Sequence, residues 1–326
     1  MNVAPTELEY KKVRIGIDLG GTKTELLALV EDTSPGSREV FRNRVRTPAR
    51  SYAEIIATIK HLVEDAERQL GTSGSSVGVG IPGAVSRSTG LIKNANTVCL
   101  IGQAFQIDLE RALKRPIRLA NDANCFALSE ATDGAGVHAE AVFGVILGTG
   151  TGGGVVIRGQ PLEGHNAIAG EWGHNPLPWP QADERPGPKC YCGKFGCIET
   201  FLSGPGLRLN HQLSSGEELA PEQIVQRAIL GDERCEKSLA IYEDRLARAL
   251  ASVINILDPE VIVLGGGLSN VTRPYENVPQ RWHNYAFSDV INTRLVRARH
   301  GDSSGVRGAA WLWPSTTTPL QRATKA

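Results

Sequence analysis

Five runs in this sequence combine residue types that can handle phosphate, protons or a metal. In Asp18-Leu19-Gly20-Gly21-Thr22-Lys23 a carboxylate, two glycines and a hydroxyl follow one another. Glycines let backbone N–H groups approach phosphate oxygens; Thr22 adds a donor, and Asp18 could hold a magnesium-bound water. An ordinary hairpin turn would explain the glycines, though not the whole order. Gly148-Thr149-Gly150-Thr151-Gly152-Gly153 fits G-x-G-x-x-G. A dinucleotide fingerprint needs a strand before it and a helix after it. Here Gly154 to Ile157 continues as a β-run, so the expectation is a phosphate-binding hairpin, with a bland loop as the alternative. Asn121-Asp122-Ala123-Asn124 follows a strand. Asp122 there could accept the proton of a substrate hydroxyl, as phosphoryl transfer requires, or the run could be an Asx turn that caps the next helix. Val261 to Leu264 leads into Gly265-Gly266-Gly267, where a flat ring could approach the backbone or a helix could pack tightly.

The fifth run is Gly170-Glu171-Trp172-Gly173-His174, followed by Cys190-x-Cys192-x4-Cys197. Three thiolates and one imidazole would complete a closed tetrahedral zinc site of structural character. The C-x-C spacing is tighter than that of common zinc fingers, and three free thiols on a loop remain the alternative. An odd number of clustered cysteines argues against a disulfide. Glu171 and Glu199 bracket the cluster. Drawn together by a metal, both could accept hydrogen bonds from a polyol; otherwise they are solvated acids.

The elements that must position these residues alternate strand and helix, which predicts an α/β fold. Val13, Ile15 and Ile17 alternate as a strand, and Glu25 to Val30 forms its hairpin partner across the first glycine turn. Ser51 to Leu70 predicts a helix: Ser51 and Glu54 form a capping box, an apolar stripe runs from Ile55 to Leu70, and Gly71 can end it. Val77 to Ile81 and Ile117 to Leu119 predict short strands, with a helix over 125–132. Val142 to Leu147 and Val155 to Ile157 predict a second hairpin, and Lys237 to Leu257 a long helix stopped by Asp258-Pro259. A glycine hairpin near 13–30 and another near 142–157 suggest two related halves.

Composition sets the outer bounds. The chain has 326 residues, which suggests about two domains. Lys plus Arg and Asp plus Glu are both 35, so no basic footprint for nucleic acid is expected. The longest apolar runs, such as Ala141 to Leu147, are too short to span a membrane, and the first dozen residues lack a signal-peptide core. A cytoplasmic protein with no membrane partner is the expectation.

In this order the segments resemble the ROK family of sugar kinases and repressors, within the actin-like ATPase (ribonuclease H-like) fold. IGIDLGGTKTE resembles its first phosphate motif and LGTGTGGG its second, LANDANC its catalytic segment, AGEWGHNPL with CYCGKFGCIE its signature and zinc motif, and VIVLGGG its adenosine motif. The resemblance covers roughly residues 12–315. GIPGAVS, IKNANT and HGDSSGVRGAAWLWP look closest to bacterial fructokinases of the manno(fructo)kinase type.

The resemblance implies two α/β domains around a central cleft. One is residues 1–126, with a helix at about 304–318 packing back on it. The other is the larger 127–303, which carries the zinc loop. It implies Asp122 as catalytic base and Asn121, Asp122, Glu171, His174, Glu199, Gly83 and Asn96 as the sugar-binding set, with the histidine touching the sugar through its second ring nitrogen. Asp18, Gly20, Gly21, Thr22, Lys23, Gly148, Thr149 and Gly150 would surround MgATP phosphates, and Gly265, Gly266 and Gly267 would face adenosine. His174, Cys190, Cys192 and Cys197 would ligate a structural zinc ion. The implied reaction is ATP-dependent phosphorylation of the 6-hydroxyl of a hexose, with D-fructose expected and mannose possible. A glucokinase or N-acetylhexosamine kinase is the alternative. A homodimer is implied. A sugar-responsive repressor is disfavoured, because its helix-turn-helix domain would have to precede Asp18. The chain departs from the family pattern between His174 and Cys190, where a loop rich in Pro and charge, around Trp179 to Lys189, looks like an insertion.

Overall fold

The structure is a computed structural model and describes residues 13–31, 37–95 and 97–314. Asn96 of the expected sugar set, and residues 315–318 of the expected last helix, lie outside the described residues. The chain divides into two compact units. The first takes residues up to Val85, Gly90–Ala120 and the chain from Val306; the second takes Ser86–Thr89 and Asn121–Gly305.

In the first unit the strands are β1 (Val13–Leu19), β2 (Lys23–Glu31), β3 (Ser37–Arg46), β4 (Ser76–Ile81), β5 (Ala84–Val85), β6 (Ile92–Lys93) and β7 (Ile117–Asn121). The sheet order is β3-β2-β1-β4-β7, with β1 antiparallel to β2 and parallel to β4. Helix α1 (Tyr52–Leu70) starts and stops where its caps dictate. The Ser51 hydroxyl accepts from the Glu54 N–H, and Gly71 adopts φ 64°, donating its N–H to Arg68. Its stripe of Ile55, Ile59, Leu62, Val63 and Ala66 is buried, and the large members contribute about 1.5–3 kcal/mol each. Helix α2 (Phe105–Leu113) buries Phe105, Leu109 and Leu113 in the same core.

The second unit repeats this plan. Its strands are β8 (Ala141–Leu147), β9 (Thr151–Ile157), β10 (Gln160–Pro161), β11 (Val261–Gly265) and β12 (Arg294–Arg297), in the order β10-β9-β8-β11-β12. Again a glycine hairpin is antiparallel, and its first strand pairs in parallel with the next long strand. The helices are α3 (Asp122–Thr132), α4 (Ile198–Leu202), α5 (Gly204–Ser215), α6 (Pro221–Ile229), α7 (Glu233–Leu257) and α8 (Pro274–Trp282); α9 (Ser304–Ala310) follows, with all but its first two residues in the first unit. α7 begins four residues before the expected Lys237, because the Asp232 carboxylate caps the N–H groups of Arg234 and Cys235 at 3.0 and 3.2 Å.

The expected boundary at 126 would cut α3. The division falls instead between Ala120 and Asn121, because α3 packs on β8 and β9. The reason is a floor of glycines. A Cβ on Gly144 would stand 2.8 Å from the Ala127 Cβ, one on Gly154 would stand 3.0 Å from the same atom, and one on Gly265 would stand 2.6 Å from Cζ of the Phe126 ring. Only strands without side chains there let α3 lie so close. The first unit has its own floor. A Cβ on Gly16 would stand 2.6 Å from the Ala310 nitrogen, and one on Gly78 would stand 3.0 Å from the Ala309 carbonyl carbon. Gly16 and Gly78 are register partners, so the body of α9 rests on them. Val306 and Ala310 complete a small core there with Leu27 and Leu29.

Candidate active site

Asp122 is the first residue of α3, so its helix starts three residues before the expected Cys125. The capping reading of this run holds. The Asn121 side chain caps α3 by accepting from the Ala123 N–H at 2.9 Å, and Asp122 Oδ1 accepts from the same N–H at 2.8 Å. Part of Asp122 remains accessible, but its carboxyl is closely ringed by protein. That desolvation, aided by the charge of Glu171, pushes its pKa above the ordinary 3.8 against the pull of the Ala123 and Asn121 hydrogen bonds.

Glu171 is exposed, at the lip of the 3₁₀ turn Trp172–His174. Trp172 anchors that turn: its indole N–H donates to Gly152 at 3.0 Å and its ring meets Phe143 edge-on at 5.6 Å. Glu199, in the first turn of α4, accepts from the Thr151 N–H at 2.9 Å. This carboxylate, expected beside the sugar, is therefore tied directly to the second glycine hairpin. Tyr191, which sequence reasoning passed over, joins this cluster. Its hydroxyl lies 2.9 Å from His174 Nε2, the nitrogen expected to touch sugar. Desolvation, with the charges of Glu199 and Glu171 beside it, pushes that hydroxyl up to about 12. The only sequence signal for Tyr191 was its place between two candidate ligands.

The other His174 nitrogen, Nδ1, faces the cysteines at 3.5 Å from Cys190 Sγ, and Cys192 Sγ lies 3.6 Å from Cys197 Sγ. All four donor atoms fall within 4.8 Å of one another. A tetrahedral zinc ion with ordinary bond lengths has S···N and S···S edges of about 3.6 and about 3.8 Å. The donor set therefore fits zinc, with Nδ1 as the ligating nitrogen. Burial pushes the Cys190 thiol up and the Cys197 thiol to about 12, while the Lys194 N–H holds Cys192 down.

The glycines divide by role. Positions 148 and 267 meet nothing within 4 Å where a Cβ would stand, so their backbones are open to a ligand. They line a cavity of about 410 Å³ with Thr149, Gly204, Pro205 and Leu268. Gly204 and Pro205 were missed; their signal was the helix start Ser203-Gly204-Pro205, which Ser203 caps. Gly150 lies against the Glu199 carboxylate, and Gly266, at φ 79°, makes the sharp exit from β11. Gly265 does not line this cavity, and the side where its Cβ would stand is filled by the Phe126 ring in the floor.

In the first unit, the Gly20 N–H donates to the Lys23 carbonyl at 2.9 Å to close the turn after Asp18. Gly21 and Thr22 border a cavity of about 550 Å³ with residues 46–51. Thr47, another residue missed, braces the turn through its hydroxyl to the Gly20 carbonyl at 2.8 Å. Gly83 is buried, at φ 148°, against Lys93 and Ala95.

Comparison with known proteins decides the family. The ROK family's sequence profile matches residues 14–316. The chain belongs to the ROK family. It is 40% identical over 301 residues to the N-acetyl-D-glucosamine kinase of Pectobacterium atrosepticum, covering 91% of this chain and 97% of that protein. The enzyme of that name from Salmonella typhimurium is also 40% identical, over 91% and 98%. Among solved structures, a ROK hexokinase from Thermus thermophilus matches with a TM-score of 0.79 and 31% identity, over 92% of this chain and 97% of that one. A ROK glucokinase from Streptomyces griseus, in complex with glucose and AMPPNP, matches with a TM-score of 0.70 and 25% identity, over 91% and 98%. This ROK protein thus has the actin-like ATPase fold and is a sugar kinase acting on a hexose, with ATP and Mg²⁺ as the expected phosphoryl donor. The expected preference for fructose finds no support among these relatives. Among the described residues no helix is long and apolar enough to cross a membrane.

Proposed function

We propose that this protein transfers the γ-phosphoryl group of ATP to the 6-hydroxyl of an N-acetylated hexosamine, N-acetyl-D-glucosamine first of all. Support for the sugar comes from the relatives of that name at 40% identity over nine-tenths of the chain. Fructose and mannose become competitors in the test.

The observation that carries the chemistry is the setting of Asp122. Its carboxylate sits at a helix start and is desolvated enough to hold a proton more tightly than a solvated Asp. As the sugar oxygen attacks the γ-phosphorus, Asp122 takes its proton. Asn121, Glu171 and Glu199 would hold the other sugar hydroxyls, with His174 Nε2 or Tyr191 beside them. The open backbones at Gly148 and Gly267 would receive the nucleotide, and the Asp18–Lys23 turn would receive phosphate and magnesium. His174, Cys190, Cys192 and Cys197 would hold a zinc ion that fixes the loop and does no chemistry. Six free cysteines fit a reducing, cytoplasmic setting, and a homodimer remains part of this proposal.

A hexose panel in an ATP-coupled assay tests the reading. N-acetyl-D-glucosamine should give the highest kcat/KM. A higher value for fructose, mannose or glucose would overturn the choice of sugar and leave the kinase intact.

A further inference from the structure

The insertion between His174 and Cys190 is held by charges that neither the sugar nor the nucleotide uses. Glu184, 5% exposed, receives Arg245 Nε at 2.7 Å and Arg248 through Nη1 and Nη2, both at 2.8 Å. Both arginines project from α7 and are buried. Arg248 Nη1 also donates to the carbonyls of Pro178 and Trp179, at 3.3 and 2.9 Å. The Trp179 ring stacks on Tyr285 at 5.6 Å. A loop that needed only to be compact would gain more from apolar packing, because buried ions are costly to desolvate. Ion pairs with directed hydrogen bonds instead fix one arrangement.

That arrangement is transmitted to the metal-binding residues. Just after Glu184, Gly187 backs onto Gly196, where a Cβ would stand 2.6 Å from the Gly196 Cα. The Gly196 N–H donates to Pro188 at 2.9 Å, and the Gly196 carbonyl accepts from Leu177 at 2.9 Å. The Cys190 N–H donates to Lys194 at 2.8 Å. Arg245 also lies over the Phe201 ring, 4.8 Å from its centre, on the short helix that carries Glu199. One arginine pair therefore braces the ligand-bearing segments and the Glu199 helix together.

We propose that Glu184, clamped by Arg245 and Arg248, is a positioning residue that holds the insertion as a strap and so sets the geometry of the His174–Cys190–Cys192–Cys197 loop and of the sugar pocket beside it. This rests on the zinc reading given above.

The test uses the full chain and three variants. Glu184→Gln removes the charge and keeps the shape, Glu184→Asp keeps the charge, and Trp179→Ala loosens the strap at its half-exposed end. Zinc release to the chromogenic chelator 4-(2-pyridylazo)resorcinol, KM for the preferred hexose, KM for ATP and thermal unfolding are measured. Glu184→Gln should release zinc about tenfold faster or more and raise the sugar KM about tenfold, while the ATP KM stays within about twofold. Glu184→Asp should recover part of both losses, and Trp179→Ala should shift both a few-fold. If Glu184→Gln does not fold, Trp179→Ala decides. Variants that unfold at lower temperature yet keep wild-type zinc release and sugar KM overturn the proposal, since Glu184 is then a structural brace only. Wild-type protein without zinc overturns the metal reading instead, and the sugar KM alone then decides the strap.

Discussion

Alanine substitutions at Gly154 and Gly148 separate floor glycines from turn glycines. In Gly154→Ala the new methyl stands 2.9 Å from the Ala123 carbonyl carbon and 3.0 Å from the Ala127 Cβ, with the Ala123 oxygen closer still. These are backbone and short side-chain atoms that cannot swing away, so α3 itself must shift by several tenths of an ångström. Overpacking of this kind costs about 1–3 kcal/mol. The shift falls on the residue next to Asp122, and misplacing a reacting group by a fraction of an ångström to 1 Å costs up to about a hundredfold in rate. Gly148→Ala meets nothing within 4 Å. It should leave stability unchanged or raise it by up to about 1 kcal/mol, because the unfolded chain loses freedom. Its methyl enters the cavity proposed for the nucleotide, so on that proposal the ATP KM should rise about tenfold. Urea unfolding gives the stabilities, and steady-state kinetics with ATP varied gives kcat and KM. Equal stability costs at the two positions, or wild-type stability and kcat in Gly154→Ala, would refute the division.

Asp122→Asn should lower turnover by about 10²–10⁴-fold, and near-wild-type turnover would remove the base assignment. It should not lower stability at neutral pH: the folded carboxyl titrates above its unfolded value of 3.8, so its contribution to stability is lost as pH rises, and the amide oxygen can still accept from Ala123. For the same reason the acid limb of kcat/KM should lie above 3.8. Glu184 shifts the other way, from 4.5 to about 2, with desolvation outweighed by its arginines. Its stabilisation, about 3 kcal/mol, is present above 4.5 and lost as pH falls toward 2, so urea unfolding at about pH 5 and about pH 3 should differ more in wild type than in Glu184→Gln. Metal analysis should find about one zinc per chain. With Cys190 and Cys197 held as thiols, zinc binding releases at least two protons, so affinity should rise about a hundredfold or more per pH unit.

Local signals were legible in the sequence wherever the deciding partner lay nearby. α1 carries its caps and its stripe within its own residues, and the two glycine hairpins show as alternating runs on either side of a turn. The His174–Cys190–Cys192–Cys197 cluster was legible because residue type is nearly sufficient for it. The start of α3 was not, since Asn121 caps the helix while Asp122, the candidate base, begins it. Gly16, Gly78 and Gly144 were passed over because a glycine inside a strand ordinarily weakens it, and the helix that needs the space is declared elsewhere in the chain. The strap was illegible for the same reason: Glu184 lies 61 and 64 positions from its two arginines. The expected preference for fructose finds no support among the relatives, because discrimination among hexoses rests on small placements of a few polar groups, which motif spacing does not encode.

The return of α9 to the first sheet has a consequence for how the chain is made. Leu27 and Leu29 find Val306 and Ala310 only after nearly 280 further residues have been made, and the Arg14 and Arg118 guanidinium groups wait for the carbonyls of Trp313 and Leu312. Domains emerging from the ribosome ordinarily finish in the order in which they are translated. Here residues 121–305 are all made while the first sheet still lacks its last layer. A ribosome that stalls before codon 306 leaves Leu27 and Leu29 without that cover.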